Sequence, residues 1–509
     1  MENKKIDQLK AGTILTYLSM SLGFIVSLVY TPVMIRLLGQ SEYGLYNLSA
    51  SVIAYLGILN FGFGSAYIRY FTKYKVKNDY QGIAKLNGMF LIIFSVIAII
   101  TLFAGFTISY YSDIIFGNKL STEEIKTARV LLIILTINLA IRFPNLVFIT
   151  YIRALERFVF QKTIDLIRII LNPFFILPLL FLGYGSIGMA LGITFLSLLV
   201  ELAHIYYAKK KLKIEFSLNT FDKILFKEMT IFSSYIFLNL LIDQINWNVD
   251  KFILGRFHGT VPVAIYSLAA LFNAYYLQLS SAISSMFVPR VHKIISKPNY
   301  REEITKLFIK VGRIQFMVLS LFLTGFIIFG KPFIGWWAGE NYIESYYIII
   351  ILIATVTIPI IQNLGIEIQR ALNLHKFRSI IYLVIALINI GITIPLVIKY
   401  QGIGAALGTA FALLVGNGII MNIYYHKKVG LDILLFWKEI FSILPSFLLP
   451  VLLAYLYTTF VDIYNIYYFI LGIAIYAIAF ATSLWLFGMN KFEKSLISKP
   501  LIGIINRIK

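Results

Sequence analysis

The sequence predicts an all-α protein that crosses a membrane about fourteen times and consists of two copies of a six-helix unit plus two further helices. Three observations predict this fold. The mean hydropathy of the 509-residue chain is +0.83, and only 14% of its residues are charged. Apolar runs of about 20 residues recur along the chain, each long enough to cross the hydrocarbon layer as a helix. One long stretch of sequence also occurs twice.

The apolar runs predict the membrane spans in chain order, with both termini on one side because the number is even. The predicted spans are 13–38, 43–68, 87–111, 127–151, 163–183, 186–208, 229–249, 262–288, 309–330, 345–368, 378–399, 402–425, 440–460 and 465–488.

The duplicated stretch begins at Arg153-Ala154-Leu155 and again at Arg370-Ala371-Leu372. Each copy reaches a glycine-rich segment, at 185–192 and 402–408, and closes on tyrosines followed by basic residues, at 206–210 and 424–428. A weaker echo relates 37–50 to 253–270. An internal repeat dictates architecture, so spans 1–6 match spans 7–12 in the same orientation. Parallel repeats of this kind predict a substrate site at their interface, in a central cavity.

The repeat divides the chain into four predicted segments. They are an N-lobe with spans 1–6 at 1–210, a cytoplasmic linker at 211–228, a C-lobe with spans 7–12 at 229–428, and spans 13–14 with a basic tail at 429–509. Spans 13 and 14 have no counterpart and are expected to pack outside the two lobes. The tail at 499–509 mixes apolar and basic residues, which is typical of an amphipathic helix on the inner leaflet or of a disordered tail.

The net charge of +21 reflects membrane topology and not nucleic-acid binding. About three quarters of the 45 Lys and Arg residues fall in alternate loops, which is the positive-inside pattern. Both termini are therefore expected in the cytoplasm and the protein in the cytoplasmic (inner) membrane. Lys4, Lys5 and Lys10 precede an apolar run that continues to Leu38 without a small-residue cleavage site, which predicts a retained first helix.

Several kinds of chemistry have no signature in this sequence. There is no cysteine, no P-loop motif and no histidine pair at metal-ligand spacing. No Ser-His-Asp constellation can be placed. We therefore expect no enzyme activity, no cofactor and no metal, and transport is the function class that remains.

Charged residues within the predicted spans are candidates for a substrate site. A charge at the bilayer centre costs about 3 kcal/mol, so one that stays there usually faces a polar cavity. Arg142 lies midway along span 4, two residues before Pro144. Asp165 and Arg168 lie three apart in span 5, on one helical face; an internal ion pair between them is an equally good interpretation.

Span 7 carries a polar stripe of Asp243, Asn246 and Asp250 along one side. Glu201 and His204 near the end of span 6 are interpreted as markers of the membrane interface. Further candidate cations stand at span ends, where snorkelling or an ordinary loop charge explains them equally well: Arg36, Arg69, Lys251, Arg256 and Arg290.

The sign of these charges favours an anionic substrate. Arginine suits phosphate because its planar fork donates two parallel hydrogen bonds. Asp165, Asp243 and Asp250 then become candidates for coupling transport to H⁺ or Na⁺.

Three motifs carry a resemblance to a known family. Leu37-Leu38-Gly39 with Tyr43-Gly44-Leu45-Tyr46, the run 250–255, and the repeated Arg-Ala-Leu resemble the polysaccharide flippases of O-antigen and capsule repeat units. These belong to the multidrug/oligosaccharidyl-lipid/polysaccharide exporter superfamily. The resemblance implies two six-helix lobes in a V around a central cavity, with alternating access. It also implies an undecaprenyl-pyrophosphate-linked oligosaccharide as substrate, turned from the inner to the outer leaflet.

Four functions remain open at this point. The leading hypothesis is the lipid-linked oligosaccharide flippase, whose partners would be membrane lipids and the polymerase and glycosyltransferases of its pathway. A lipid II flippase is next, because members of that family carry two extra C-terminal helices that form a groove for the lipid tail. The third candidate is a drug/cation antiporter of the same superfamily, and the fourth is a membrane glycosyltransferase or polymerase.

Overall fold

The computed structural model describes residues 7–218, 221–496 and 498, and every regular element in that part of the chain is helical. The predicted tail at 499–509 lies outside the described residues, as do Lys4 and Lys5. The chain forms two compact units, the first ending at Ser267 and the second beginning at Leu268.

Within the described residues, the first unit contains eight helices and the start of a ninth. They are α1 (Gln8–Leu56), α2 (Phe63–Val76), α3 (Tyr80–Tyr110), α4 (Ser112–Phe116), α5 (Thr122–Ala154), α6 (Phe158–Phe181), α7 (Gly185–Tyr206), α8 (Lys223–His258) and α9 (Thr260–Ser285), which ends in the second unit. Short 3₁₀ turns at Gly57–Asn60 and Gly117–Lys119 and a π-helical turn at Tyr207–Lys211 join them.

The second unit continues with nine α-helices in the described part of the chain. They are α10 (Val288–Ile295), α11 (Tyr300–Trp337), α12 (Glu344–Ile360), α13 (Leu364–Ala371), α14 (His375–Leu413), α15 (Asn422–Tyr424), α16 (Ile433–Phe441), α17 (Pro445–Phe460) and α18 (Ile466–Ser483). A 3₁₀ turn covers Glu340–Tyr342, and π-helical turns cover Leu414–Met421, Tyr425–Val429 and Leu484–Gly488.

Twelve helical runs among the described residues are long and apolar enough to cross a membrane. Two of them, of 67 and 54 residues, are far longer than one crossing needs. Each of these is interrupted at a non-helical residue, Gly39 or Gln401, and the first is also interrupted at Phe61 and Gly62. The breaks at Gly39 and Gln401 fall between predicted spans 1 and 2 and between predicted spans 11 and 12. The chain is therefore a multi-span membrane protein, while the count of fourteen crossings stays a prediction.

Predicted span 2, at 43–68, is not one continuous helix. After α1 the chain makes the turn Gly57–Asn60, and Phe61 and Gly62 then have left-handed φ values of 50° and 70° before α2 begins. The Asn60 Oδ1 atom accepts a hydrogen bond of 2.7 Å from the Gly62 backbone N–H, which satisfies one donor that the break releases. Such a break within a membrane is tolerated where it is buried in protein or lines a cavity.

The duplicated sequence is also duplicated in local structure. α5 ends at Ala154 and α13 ends at Ala371, each directly after the arginine of its Arg-Ala-Leu copy. The helix after each end is preceded by a left-handed residue with a φ of 58°, Glu156 in the first copy and Asn373 in the second. The same backbone conformation therefore separates corresponding helices in both copies.

A stacked aromatic pair occupies the same place in each copy. The ring centroids of Phe160 and Tyr207 lie 3.7 Å apart with an interplanar angle of 7°. Those of Phe377 and Tyr424 lie 4.1 Å apart, also at 7°. Aromatic pairs add about 0.5–1.5 kcal/mol beyond the area that they bury. The repeat thus extends from sequence to the contacts between corresponding helices.

α8 belongs to the second repeat by sequence but packs with the helices of the first unit. It lies against α1 and α2. Its first two turns place Leu225 and Met229 in the apolar core that α2, α3 and α5 form. The lobe boundary at 211–228 stays a prediction drawn from the repeat, and the compact units divide later in the chain.

The two helices without a counterpart in the repeat pack against α11. Phe447 of α17 and Tyr476 of α18 join Met317 and Phe329 of α11 in one buried apolar cluster. The hydroxyl groups of Tyr476 and Thr324 are 2.6 Å apart, which adds a polar contact at the same surface. α17 and α18 are therefore held by α11.

A buried arginine connects α11 to the chain that follows α18. Arg313 is 4% exposed and donates from Nε to Glu493 at 2.7 Å and from Nη1 to Glu439 at 3.1 Å. Its Nη2 atom donates to the Gly488 carbonyl at 2.9 Å. Because Glu493 is 3% exposed, both charges of that pair depend on each other.

We expect Arg313→Ala to destabilise the protein strongly, because the variant removes the ion-pair partner of the buried Glu493 carboxylate. Removing one partner of a buried pair costs about 3–5 kcal/mol. The measurement is the unfolding midpoint of the purified protein in detergent. Arg370→Ala is the control, because Arg370 is exposed and its ion pair among the described residues is with Glu367 on its own helix, a type of pair worth at most about 1 kcal/mol. Equal midpoints for the two variants would contradict the prediction.

Candidate functional site

A cavity of about 240 Å³ lies inside the first unit, at the point where the chain breaks between α1 and α2. α5 and α8 complete its wall. The lining residues are Gly57, Ile58, Asn60, Leu139, Arg142, Phe143, Leu146, Leu240 and Gln244. Three polar side chains thus converge in an otherwise apolar wall, which is the usual composition of a ligand site.

Arg142 is the charged group in this wall. It stands on α5 two residues before Pro144, a proline that the helix accommodates without ending. The Arg142 side chain is exposed, and within the described residues it makes no hydrogen bond and no ion pair. A guanidinium group without a hydrogen bond or a close ion pair therefore lies at the cavity, and its role in substrate binding stays a prediction.

A second arginine without a hydrogen bond or ion pair among the described residues lies near the first. Arg168 of α6 is exposed and within electrostatic range of Arg142. The predicted ion pair between Arg168 and Asp165 is not realised, because Asp165 Oδ2 accepts instead from Lys162 Nζ at 3.2 Å. Like charges repel, so an anion that both guanidinium groups can reach would relieve that repulsion.

Glu201 and His204 of α7 are buried inside the first unit, while the interface interpretation, which concerns their depth in the membrane, stays a prediction. Their exposed fractions are 9% and 7%. Glu201 is within electrostatic range of Arg142 and Arg168. α7 packs against both α5 and α6, which brings these three residues together. Sequence spacing could not reveal this, because the three residues stand on three different helices.

The polar stripe of α8 does not act as one surface. Gln244 lines the cavity, and its Oε1 atom accepts a hydrogen bond of 2.6 Å from Asn248 Nδ2. Asp250 is 1% exposed and accepts a hydrogen bond from the Tyr266 hydroxyl. Asn246 is half-buried, and Asp243 is exposed. The structure therefore places Gln244, a residue that the sequence analysis did not select, at the cavity.

Arg256 has a structural contact that the sequence did not reveal. Its Nη1 atom donates to the carbonyl oxygen of Ile114 and, at 3.1 Å, to that of Ile115. Gly117 lies against the same guanidinium group, where a side chain would not fit. Lys251, five residues before Arg256 on α8, is half-buried beside Asp250. Arg256 therefore holds the C-terminal end of α4.

The remaining predicted cations lie apart from the cavity wall. Arg36 is exposed on α1. Arg69 of α2 lies 4.8 Å from the ring centroid of Phe232, a cation–π distance. Arg290 is exposed on α10, in the second unit. Of the predicted site residues, the structure thus brings together Arg142, Arg168 and Asp165.

The Glu124 carboxylate joins helices of the first repeat to the start of α9. This contact lies at the end of the first unit that the charge pattern predicts to face the outside. Ser41 Oγ and Thr260 Oγ1 both donate to Glu124 Oε1, at 2.7 Å each. The two hydroxyl oxygens are 3.3 Å apart. Gly44 lies against the Thr260 carbonyl oxygen and leaves no room for a larger residue. This end of the first unit is closely packed.

Comparison with known proteins agrees with the helical membrane fold. The family model described as "Polysaccharide biosynthesis protein" matches residues 9–295. A Shigella flexneri protein named as an O-antigen transporter is 22% identical over 419 residues, which cover 79% of this chain and 92% of that protein. The Staphylococcus aureus capsular polysaccharide biosynthesis protein CapF is 25% identical over 254 residues, which cover 48% of this chain and 61% of that protein.

Two solved structures share the fold. The lipid II flippase MurJ in its inward closed conformation matches with a TM-score of 0.72 at 18% identity, over 96% of this chain and 99% of that chain. An inward-facing multidrug resistance MATE family transporter of the MOP superfamily matches with a TM-score of 0.63 at 14% identity, over 81% of this chain and 94% of that chain. Because the family model spans more than half of the chain, the protein belongs to the polysaccharide biosynthesis protein family, and its fold is that of these two transporters.

Proposed function

We propose that the protein is a flippase that moves an undecaprenyl-pyrophosphate-linked oligosaccharide from the inner to the outer leaflet of the cytoplasmic membrane, for cell-surface polysaccharide such as O-antigen or capsule. The family and the name of the Shigella flexneri relative support a polysaccharide precursor as cargo. The observation that carries the proposal is the pair Arg142 and Arg168, two neighbouring arginines with no hydrogen bond or ion pair in the described part of the chain.

The diphosphate of the substrate is the group that this pair suits. Each guanidinium group can donate two parallel hydrogen bonds to phosphate oxygens. An unpaired arginine within a membrane span costs about 3 kcal/mol, and a bound anion offsets that cost. The site would therefore bind the charged part of the lipid.

The size of the cavity agrees with this division of the substrate. At about 240 Å³ it is smaller than the sites that hold whole small molecules, which are roughly 300–1,000 Å³. It has room for a diphosphate. The glycan would cross through hydrated space beside it, and the prenyl tail would stay in lipid.

Lipid II is the second candidate cargo, because it carries the same prenyl diphosphate. The likeness to MurJ covers 96% of this chain, and α17 and α18 pack beside α11 where a tail groove could form. A drug/cation antiporter is less compatible with an arginine in the cavity wall, and resistance to cationic drugs on expression would identify it. Sugar turnover by the purified protein would identify a glycosyltransferase.

Coupling to H⁺ or Na⁺ through Asp165, Asp243 or Asp250 is part of the proposal. These carboxylates have contacts that an ion would have to displace or share. Asp250 accepts from Tyr266, and Asp165 pairs with Lys162. Both termini would lie in the cytoplasm. The glycosyltransferases that assemble the precursor would act on that side of the membrane, and the polymerase would receive the flipped product on the other side.

We expect Arg142→Ala to reduce transport by roughly 10–100-fold, because a charge-assisted hydrogen bond is worth about 1.5–3 kcal/mol. Surface polymer in a host that lacks its own flippase is the cellular measurement, and leaflet-resolved movement of a lipid-linked sugar in vesicles is the direct one. Arg153→Ala is the control, because Arg153 is an exposed arginine at the end of the same helix. Normal flipping by Arg142→Ala would refute the proposed site.

The contact at the predicted outer end should open during transport if access alternates. The chain contains no cysteine, so Ser41→Cys with Thr260→Cys forms a disulfide only between these positions, whose oxygens are 3.3 Å apart in the native protein. We expect the oxidised double variant to be inactive and a reductant to restore transport. Both single variants are controls and should transport with or without oxidant. Full activity of the cross-linked protein would show that this end does not need to open.

A further inference from the structure

Glu201 is a buried acid that the proposed binding step does not yet use. It is 9% exposed on α7, and its Oε2 atom has no hydrogen-bond partner in the described part of the chain. The charged and titratable groups within electrostatic range of this cluster come from every helix packed around it: Arg142 of α5, Arg168 and Asp165 of α6, His204 of α7 and Tyr46 of α1.

The two arginines decide whether Glu201 can carry a charge. A buried carboxylate without hydrogen-bond donors is costly unless a cation lies nearby. Arg142 and Arg168 supply that cation while the site is empty. When an anion occupies the arginines, its negative charge cancels theirs and also repels Glu201. The carboxylate then loses its compensation at the moment when substrate arrives.

We propose that Glu201 is a proton-binding site that takes up one proton when a diphosphate binds Arg142 and Arg168. The inference rests on the proposed function and adds a regulatory group to that site. In the empty protein the ionised carboxylate offsets the arginines. In the loaded protein the diphosphate offsets them and Glu201 is neutral. The net charge buried in the first unit therefore changes little between the two states.

This exchange predicts that acidity strengthens binding. If ligand binding takes up one proton, the affinity for the ligand falls by up to about tenfold for each unit by which the pH rises. This fall occurs across the pH interval in which the proton-accepting group ionises. Removal of the ionisable oxygen should abolish this dependence. Glu201→Gln has the shape of the protonated acid and should bind the diphosphate at high pH as well as the native protein does at low pH.

The test is calorimetric binding of farnesyl diphosphate to the purified full-length protein in detergent, repeated in buffers with different heats of ionisation. The native protein should take up about one more proton per ligand than Glu201→Gln does. Protons that the ligand itself gains or loses are common to both proteins and cancel in this difference. Glu123→Gln, which alters an exposed glutamate of α5 paired with Lys126, is the matched control and should behave as the native protein.

Two neighbouring groups must be distinguished from Glu201. If proton uptake persists in Glu201→Gln and disappears in His204→Asn or Asp165→Asn, the inference is overturned. An infrared difference spectrum of the native protein gives a second measurement, because ligand binding should add a protonated carboxyl band that His204→Asn retains. Absence of that band would overturn the inference even if Glu201→Gln did not fold.

Failure of the proposed function would look different. If the native protein did not bind farnesyl diphosphate at any pH, or if Arg142→Ala with Arg168→Ala bound it equally well, the anion site itself would be wrong. If binding depended on the arginines but not on Glu201 or pH, only the proton site would be wrong.

Discussion

An arginine inside a membrane span needs a compensating charge, and this chain meets that requirement in two different ways. Arg313 is surrounded by carboxylates and carbonyl oxygens, and its exposed fraction is 4%. Arg142 and Arg168 have no such contacts among the described residues and lie in range of each other. In a medium of low dielectric constant, the first arrangement is a permanent link between helices, whereas the second favours an anion that comes and goes. We therefore interpret Arg313 as part of the scaffold and Arg142 with Arg168 as part of the site.

The same medium constrains the backbone. Peptide groups in hydrocarbon must be paired within a helix, so an interruption is tolerated only where other polar groups can replace those pairs. The break at Gly57–Asn60 and the unpaired Arg142 meet in the wall of one cavity. Each feature makes the other less costly, because a polar cavity serves both. Glu201 extends the arrangement through α7 and offers the arginines a negative charge from within the protein.

Particular residues show how far the sequence analysis reached. It predicted the interruptions that the structure has at Gly39 and Gln401, because apolar runs end there and turn residues or polar residues follow. It selected Arg142 because a charge in an apolar run is costly wherever the run packs. It did not find the role of Arg256, whose partners are carbonyl oxygens of Ile114 and Ile115, about 140 positions earlier in the chain. A hydrogen bond to a distant backbone leaves no pattern in the sequence.

The sequence by itself determined that this is a helical, multi-span membrane protein with a repeated helical unit. Hydropathy and internal repetition can both be read from the order of residues, without knowing which segments pack together. Tertiary structure alone decided which charges are satisfied. Asp250 is engaged by Tyr266 of the next helix, while Glu201 lies within electrostatic range of two arginines on other helices. Whether a charged residue is structural or free to bind depends on what lies opposite it, and packing between distant segments sets that partner.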